Sequence, residues 1–592
     1  MKLIVVETPQ KADRFRLVLN KAHKILVVPP PLRAPDPDGL VLGEDDEVAE
    51  RYRLLPERES LVEEFCQLAG QARQIIFATA PGRAGEALAW DLLNCLPEDE
   101  RVKVQRLALT QLDEDTMRQA LEAPGDINPY MVDAWRARQV ADRLAHEAVA
   151  PQIHRWKLHE GPPPEITLAG MAALRLVVER EWKRHKHNGR RWMVRADLEQ
   201  DGLVLQAQMN GDLDITRDTE AYALVDLLME PETSWHIETL EERIIDDSPD
   251  PPFTTATLLA ASEQELGFTP GQTMQASHDL YDRGLITNPF TTDSRINEKA
   301  ASSVSRIIRA LYGREFLPAE PQPDSDENGA DGEAIRPTTL VMHPDLLYLH
   351  ALTDMVISED SRALYGLIWQ QTVASQMPPV CERVVTATIR PIWTGSVEPW
   401  EDPDHYPHPF TFRAELRQML AEGYRRVYRE IDPSGDRIRS AVLMDVLDKG
   451  DELRLRHISV NAVDEETPRR YTAAELITEL ATRGIGHPET YASLVESMVK
   501  KGYASLKDGR LAPTPLGEDV LYVCVQHLPE VFRLETAVEV ERQLEQVAQG
   551  SLSRRKALES FATRLALDTP QPAAGQTGQS CKPPARMEEV AA

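Results

Sequence analysis

Two apolar runs end in residues able to do chemistry. The run LIVV at residues 3–6 reads as a buried strand that delivers Glu7 at its C-terminal end, with Lys11 one helical turn further on. The run IIFAT at residues 75–79 reads as a second strand. It leads into Ala80, Pro81, Gly82, Arg83, Ala84, Gly85 and Glu86, and then into a helix expected over residues 87–93. Strand, loop and helix in this order suggest an α/β domain with functional groups at its strand ends. A hard divalent cation needs oxygen ligands, and two carboxylates two residues apart can converge on one ion from such a loop. Ala80, Gly82 and Ala84 offer no oxygen ligand there, and one carboxylate beside Lys11 is a poor cation site. The plainer reading of Glu7 is an ion pair with Lys11 or with Arg83. Glu86 opens a helix and can serve there, facing the positive end of the helix dipole.

The elements that position these groups belong to a large chain. Its 592 residues allow several domains and a large core, and its 42% hydrophobic content fits a globular protein. Helical spacing is read over residues 131–156 and 172–181, and over 475–480, where the helix stops around Gly484, Ile485 and Gly486. Residues 319–333 are acidic and contain proline, which predicts an exposed flexible loop; the segment beyond residue 568 is rich in Pro, Ala, Gly and Gln and is expected to be disordered. No apolar run reaches membrane-spanning length, and the first residues enter a strand rather than a cleavable signal, so a cytoplasmic protein without a membrane partner is expected. The five cysteines, Cys66, Cys95, Cys381, Cys524 and Cys581, form no CxxC pair, which speaks against zinc ribbons and a disulfide framework. A net charge of −30 argues mildly against tight nucleic-acid binding, although an acidic protein can hold a local basic groove. The run Arg184, His185, Lys186, His187 with Arg190 and Arg191 is one such patch, or else a solvated helix end and turn.

Several ordered blocks resemble the type IA DNA topoisomerases over about residues 1–560. They are VVETPQKA at 5–12, ATAPGRAGEALAW at 78–90, VDAWRARQVADRL at 132–144, ALRLVVERE at 173–181 and PPFTTATLL at 251–259. GLITNPFTTDS at 284–294, EAIRPT at 333–338, LYGLIWQQTVASQM at 364–377 and GIGHPETYASLVE at 484–496 complete the series. The resemblance implies the family's multidomain α/β, α and β fold, a toroid with an N-terminal Toprim domain. It implies a Toprim-like domain at 1–150, a helical domain at 151–204 and 456–567, and a β-rich arch at 205–254 and 379–455. The tyrosine-domain equivalent is then 255–378, followed by a disordered tail at 568–592.

The same resemblance marks what is missing. The family follows GLIT with a tyrosine that attacks DNA; here Asn288 follows Thr287, then Pro289 and Phe290, and a ring without a hydroxyl is no nucleophile. The family's Toprim loop is Asp-x-Asp-x-Glu and binds Mg²⁺; its three positions are Ala80, Gly82 and Ala84, and only Glu7 remains of the four carboxylates. The His of the family's HEAIRPT block is Gly332, the Arg of its GIGRPSTYA block is His487, and the Ser there is Glu489. Gln111, Ala473 and the segment Pro30, Pro31, Leu32, Arg33 replace further family residues. Glu7, Lys11, Arg83, Glu86, Glu333 and Arg336 survive. No catalytic set is intact, and no cofactor is expected. Lys11, Arg83 and Arg336 are the nearest cations for DNA; a surviving arginine either meets a phosphate bidentately or joins two domains through a carboxylate.

Core blocks are kept while chemistry is stripped, so the expected protein is a folded homologue without the family's activity. Three readings follow: a DNA-associated accessory protein that prefers single strands; a scaffold for an unidentified protein partner with no DNA affinity; and an active topoisomerase that relaxes negative supercoils with displaced residues. Tyr281 is the nearest tyrosine for the third, but a core role suits it better because the family has a tyrosine there too.

Overall fold

The computed structural model describes all residues except 20–22, 43–47, 159–164, 187–189, 211–214, 216, 319–331, 351–356, 394–409, 429–443, 445, 465–467 and 569–592. The acidic loop expected at 319–333 lies outside the described residues but for its last two positions, and the tail lies outside them entirely.

Strand β1 (Lys2–Val6) pairs in parallel with β2 (His23–Val27) on one side. After the antiparallel hairpin β3 (Arg33–Leu42) and β4 (Val48–Leu54), β5 (Gln74–Phe77) pairs on its other side and β6 (Val104–Arg106) follows, giving the order β2-β1-β5-β6. Near-continuous apolar runs such as KLIVV and QIIF are what a parallel sheet covered on both faces requires. Leu3, Val5, Ile75 and Phe77 pack with Phe65 and Leu92 on one face. Ile4, Val6 and Ile76 pack on the other face with Leu258, Leu280, Tyr281, Ile286 and Trp369. The sheet therefore shares one core with the helices Thr255–Leu266, Pro270–Asp282 and Glu359–Ala374.

A closed six-stranded barrel runs β10-β11-β8-β7-β12-β9 and forms from β7 (Arg190–Gln200), β8 (Leu203–Met209), β9 (Thr233–Asp247), β10 (Val380–Trp393), β11 (Phe412–Ala421) and β12 (Glu452–Asp464). Closure leaves no sheet edge open. Trp235 and Phe412 meet edge to face inside it, ring centroids 4.9 Å apart. The remaining core is helical and joins Pro129–Arg155, Leu168–Lys186, Tyr491–Lys500 and Leu534–Ala548.

Element ends follow local chemistry where that chemistry is in the chain. Asn128 caps the helix Pro129–Arg155, with proline at its first position. Thr472 and Glu475 form a capping box at the start of Ala473–Arg483, which Gly484 ends at φ 71°. The helix expected over 87–93 differs: it begins at Arg83, four residues earlier, because its start is capped from a distant segment.

Candidate functional site

The loops after β5 and β6 converge with residues 288–297, 332–333 and 487–489 around a cleft of about 1030 Å³. In a parallel sheet these carboxyl ends of strands are where a ligand site is expected. Glu7 leaves β1 with both oxygens engaged. Lys11 Nζ lies 3.2 Å from Oε2, and the Ala80 N–H donates to Oε1. Lys11 is 1% exposed and also stands 5.7 Å from the centre of the Tyr281 ring. Of the two ion pairs expected for Glu7, the Lys11 pair is present. Arg83 instead meets Glu545.

Arg106, at the end of β6, organises the loop after β5. It is buried, and its Nε lies 2.9 Å from Glu86 Oε1. Its Nη1 donates to the carbonyls of Phe77, Thr79 and Leu107, and its Nη2 to that of Ala80 at 2.7 Å. Glu86 Oε2 accepts the Asn128 N–H at 3.0 Å. Glu86 thus sits in the first helical turn as expected, and its carboxylate also neutralises a buried guanidinium. Burial lowers the Arg106 pKa, and Glu86 and Glu7 act against that. Sequence reading missed Arg106, since one arginine after a short strand carries no pattern; only the fold brings five acceptors around it.

Asn288 makes a local turn. Its Nδ2 donates to the Phe290 carbonyl at 3.1 Å, its Oδ1 accepts the Phe290 N–H at 3.3 Å, and its own N–H donates to the Thr110 carbonyl at 2.7 Å. Phe290 packs edge to face on His278 at 5.0 Å and against the helical core, which makes it a wedge between segments. Tyr281 is buried, and its hydroxyl donates to the Leu109 carbonyl. Burial first, then the charges of Glu7 and Asp282, push that hydroxyl well above its ordinary pKa. Arg336, 3% exposed, pairs with Glu333 at 2.7 Å and donates to the Pro337 carbonyl at 2.9 Å. A Cβ on Gly332 would stand 3.1 Å from Asp293 Oδ2, so a larger residue there needs Asp293 to shift. Burial acts to raise the Asp293 pKa, but hydrogen bonds from Arg295 hold it below the usual value. Arg295 also lines the cleft and was not singled out from sequence.

His487 and Glu489 reach the cleft from the helical side. Ala84 N–H donates to Glu489 Oε2 at 3.3 Å. Burial pushes Glu489 up to about 7, against the hydrogen bond from Ala84 and the charges of Arg83 and Arg138. Burial, then Arg83 and Arg138, pushes His487 down to about 3. His487 Nδ1 lies 3.7 Å from Glu489 Oε2, a distance that suggests an ion pair. The neutral imidazole argues otherwise: Nδ1 faces the Glu489 N–H at 3.4 Å as an acceptor. At most Glu489 is charged in this contact, so it is not an ion pair.

The residues at this site do not suit a divalent cation. Ala80, Gly82 and Ala84 have no side-chain donor, both Glu7 oxygens are engaged, and among the described residues no three His, Cys, Asp or Glu converge. Lys11, Arg83 and Arg336 are each buried and paired, none lines the cleft, and each would have to leave its partner to meet a phosphate. In the basic run, Arg184 and His185 lie 3.7 Å and 3.6 Å from Glu181 near the end of Leu168–Lys186. Residues 187–189 of that run, and the side chains of Lys186, Arg190 and Arg191, lie outside the described residues.

Comparison with known proteins places this architecture. Residues 126–559 match the family model described as DNA topoisomerase. The chain is 28% identical to DNA topoisomerase 1 of Vibrio cholerae over 87% of its own length and 56% of the relative's. It is 26% identical to DNA topoisomerase 1 of Synechococcus elongatus, over 95% of its length and 65% of the relative's. The chain thus spans less than two thirds of these relatives' lengths. Full-length topoisomerase I from Thermotoga maritima superposes with a TM-score of 0.80 at 22% identity, over 96% of this chain and 90% of that one, so the fold is shared. From the family match and the shared fold, the chain belongs to the type IA DNA topoisomerase family.

Proposed function

We propose that this family member does not cleave DNA and acts as an accessory protein that associates with single-stranded DNA. The observation that carries the reading is the state of the groups around Asn288. No tyrosine hydroxyl stands in residues 284–294, Ala80, Gly82 and Ala84 of the facing loop offer no carboxylate, and the oxygens of Glu7 and Glu86 are all engaged. Losing a nucleophile alone costs on the order of 10⁶-fold in rate, and losses within one catalytic unit do not add. Tyr281 is a poor substitute, because its hydroxyl is buried and bonded to a carbonyl. Single-stranded DNA is the ligand class that the family suggests. In this reading residues 1–150 are the Toprim-like part, residues 255–378 the counterpart of the tyrosine domain, and the protein works in the cytoplasm; no described helix is long and apolar enough to cross a membrane.

One observation favours a second reading, a protein-binding scaffold: Lys11, Arg83 and Arg336 are already paired, in a chain of net charge −30. The test is relaxation of negatively supercoiled plasmid with and without Mg²⁺, alongside titration of a labelled oligonucleotide. No relaxation with measurable single-strand binding is expected. Metal-dependent relaxation by protein freed of host topoisomerases would overturn the non-cleaving reading, and absence of binding at low salt would favour the scaffold.

A further inference from the structure

The helix Arg83–Leu93 starts at Gly82, which has no side chain to cap it. The first N–H groups of a helix need acceptors, above all away from water. Glu489, 405 residues from Ala84 in the chain, supplies one: its carboxyl accepts from the Ala84 N–H at 3.3 Å. The fit depends on glycine at 82. Its φ is +109°, and a Cβ there would stand 2.3 Å from Glu489 Oε1. Two ion pairs close the same seam, Arg83 with Glu545, and Arg138 Nη2 with Glu541 at 3.0 Å. A helix start beside arginines is an arrangement that favours anions. Here a carboxyl group of the protein itself fills it, at the wall of the cleft where Gly82, His487 and Glu489 meet Asn288 and Phe290.

We propose that Glu489 is an autoinhibitory latch: it fills the acceptor position at the start of the helix Arg83–Leu93, clamps residues 80–86 to residues 487–489, and keeps a nucleic-acid phosphate out of the cleft. Its consequence for DNA rests on the single-strand reading above; the contact itself does not. When the latch is closed, only the open fraction of molecules offers the backbone N–H groups to a ligand, so apparent affinity is reduced by that fraction.

The test uses the full chain with Glu489→Ala, which removes the acceptor, and Glu489→Gln, which keeps both size and an acceptor oxygen. Hydrogen exchange over residues 80–89 reads the latch, and a labelled single-stranded oligonucleotide reads the cleft. Glu489→Ala is expected to speed exchange there and to tighten binding roughly tenfold, while Glu489→Gln stays near wild type in both. If Glu489→Ala does not fold, Glu489→Ser, whose side chain ends short of the helix, takes its place. Unchanged exchange in the truncated variant would overturn the latch. Faster exchange with unchanged or weaker binding would overturn the occlusion. Faster exchange with no binding by any form, wild type included, would support the contact and overturn the single-strand reading instead.

Discussion

Asn288 and Glu489 carry the site's departures at the scale of single residues. Replacing Asn288→Tyr supplies a phenol, but the facing loop keeps Ala80, Gly82 and Ala84 and no cation site. We expect no covalent protein–oligonucleotide adduct on denaturing electrophoresis from that single variant; an adduct would show that the loop carboxylates matter less than their chemistry suggests. Glu489 makes a pH prediction. Its ordinary value of 4.5 rises to about 7 in the fold, so the stability tied to its proton is full below about 4.5 and lost as pH rises through about 7. The groups facing it are Arg83, Arg138 and His487, with Glu541 and Glu545 on the two arginines; His487 stays neutral. Asp142, near Arg138 and pushed up to about 6 by burial, titrates in any variant and cancels in a comparison. Wild type should therefore lose about 1 kcal/mol more stability than Glu489→Gln between about pH 6 and 8.5, measured by denaturant titration. Parallel pH profiles would show that Glu489 does not titrate in this range.

Among the elements, the end of β6 does more than its three residues suggest. Arg106 ties β5, the loop after it and the first turn of Arg83–Leu93 into one knot, with Glu86 balancing its charge. Removing one member of a buried, hydrogen-bonded ion pair leaves the other uncompensated and costs about 3–5 kcal/mol. Arg106→Ala should lower the unfolding free energy, read by denaturant titration, by that order, and a double replacement with Glu86→Gln should cost less than the sum of the two. Additive losses would mean that the two side chains do not act as a pair. Phe290 works between elements in a similar way, as an aromatic wedge from residues 284–294 against the helical core. It occupies space at the site and brings no reactive atom.

For the whole molecule, a net charge of −30 and three paired cations set the scale of any nucleic-acid binding. Single-strand affinity falls with salt by roughly 0.7 log units per decade for each phosphate contacted. We expect a slope near about −2, the value for roughly three phosphates, and weaker binding to duplex; a slope near zero would favour the scaffold reading. The sequence by itself determined the family and the fold, because ordered blocks such as ALRLVVERE and PPFTTATLL specify packing surfaces, and packing is written in apolar spacing. It also showed, by simple identity, that no tyrosine lies in residues 284–294 and no carboxylate at 80, 82 or 84. The starts of Pro129–Arg155 and Ala473–Arg483 fall two residues before the spacing read from 131 and from 475, and their caps lie within a few residues in the chain. The start of Arg83–Leu93 was misjudged because its cap lies 405 residues away from Ala84. Only the tertiary structure decided who holds each surviving charge: Arg83 on Glu545, Arg336 on Glu333, Arg106 on Glu86, and Glu489 against Gly82 and Ala84. Ion pairs and caps between distant segments depend on burial and distance, which no spacing along the chain encodes.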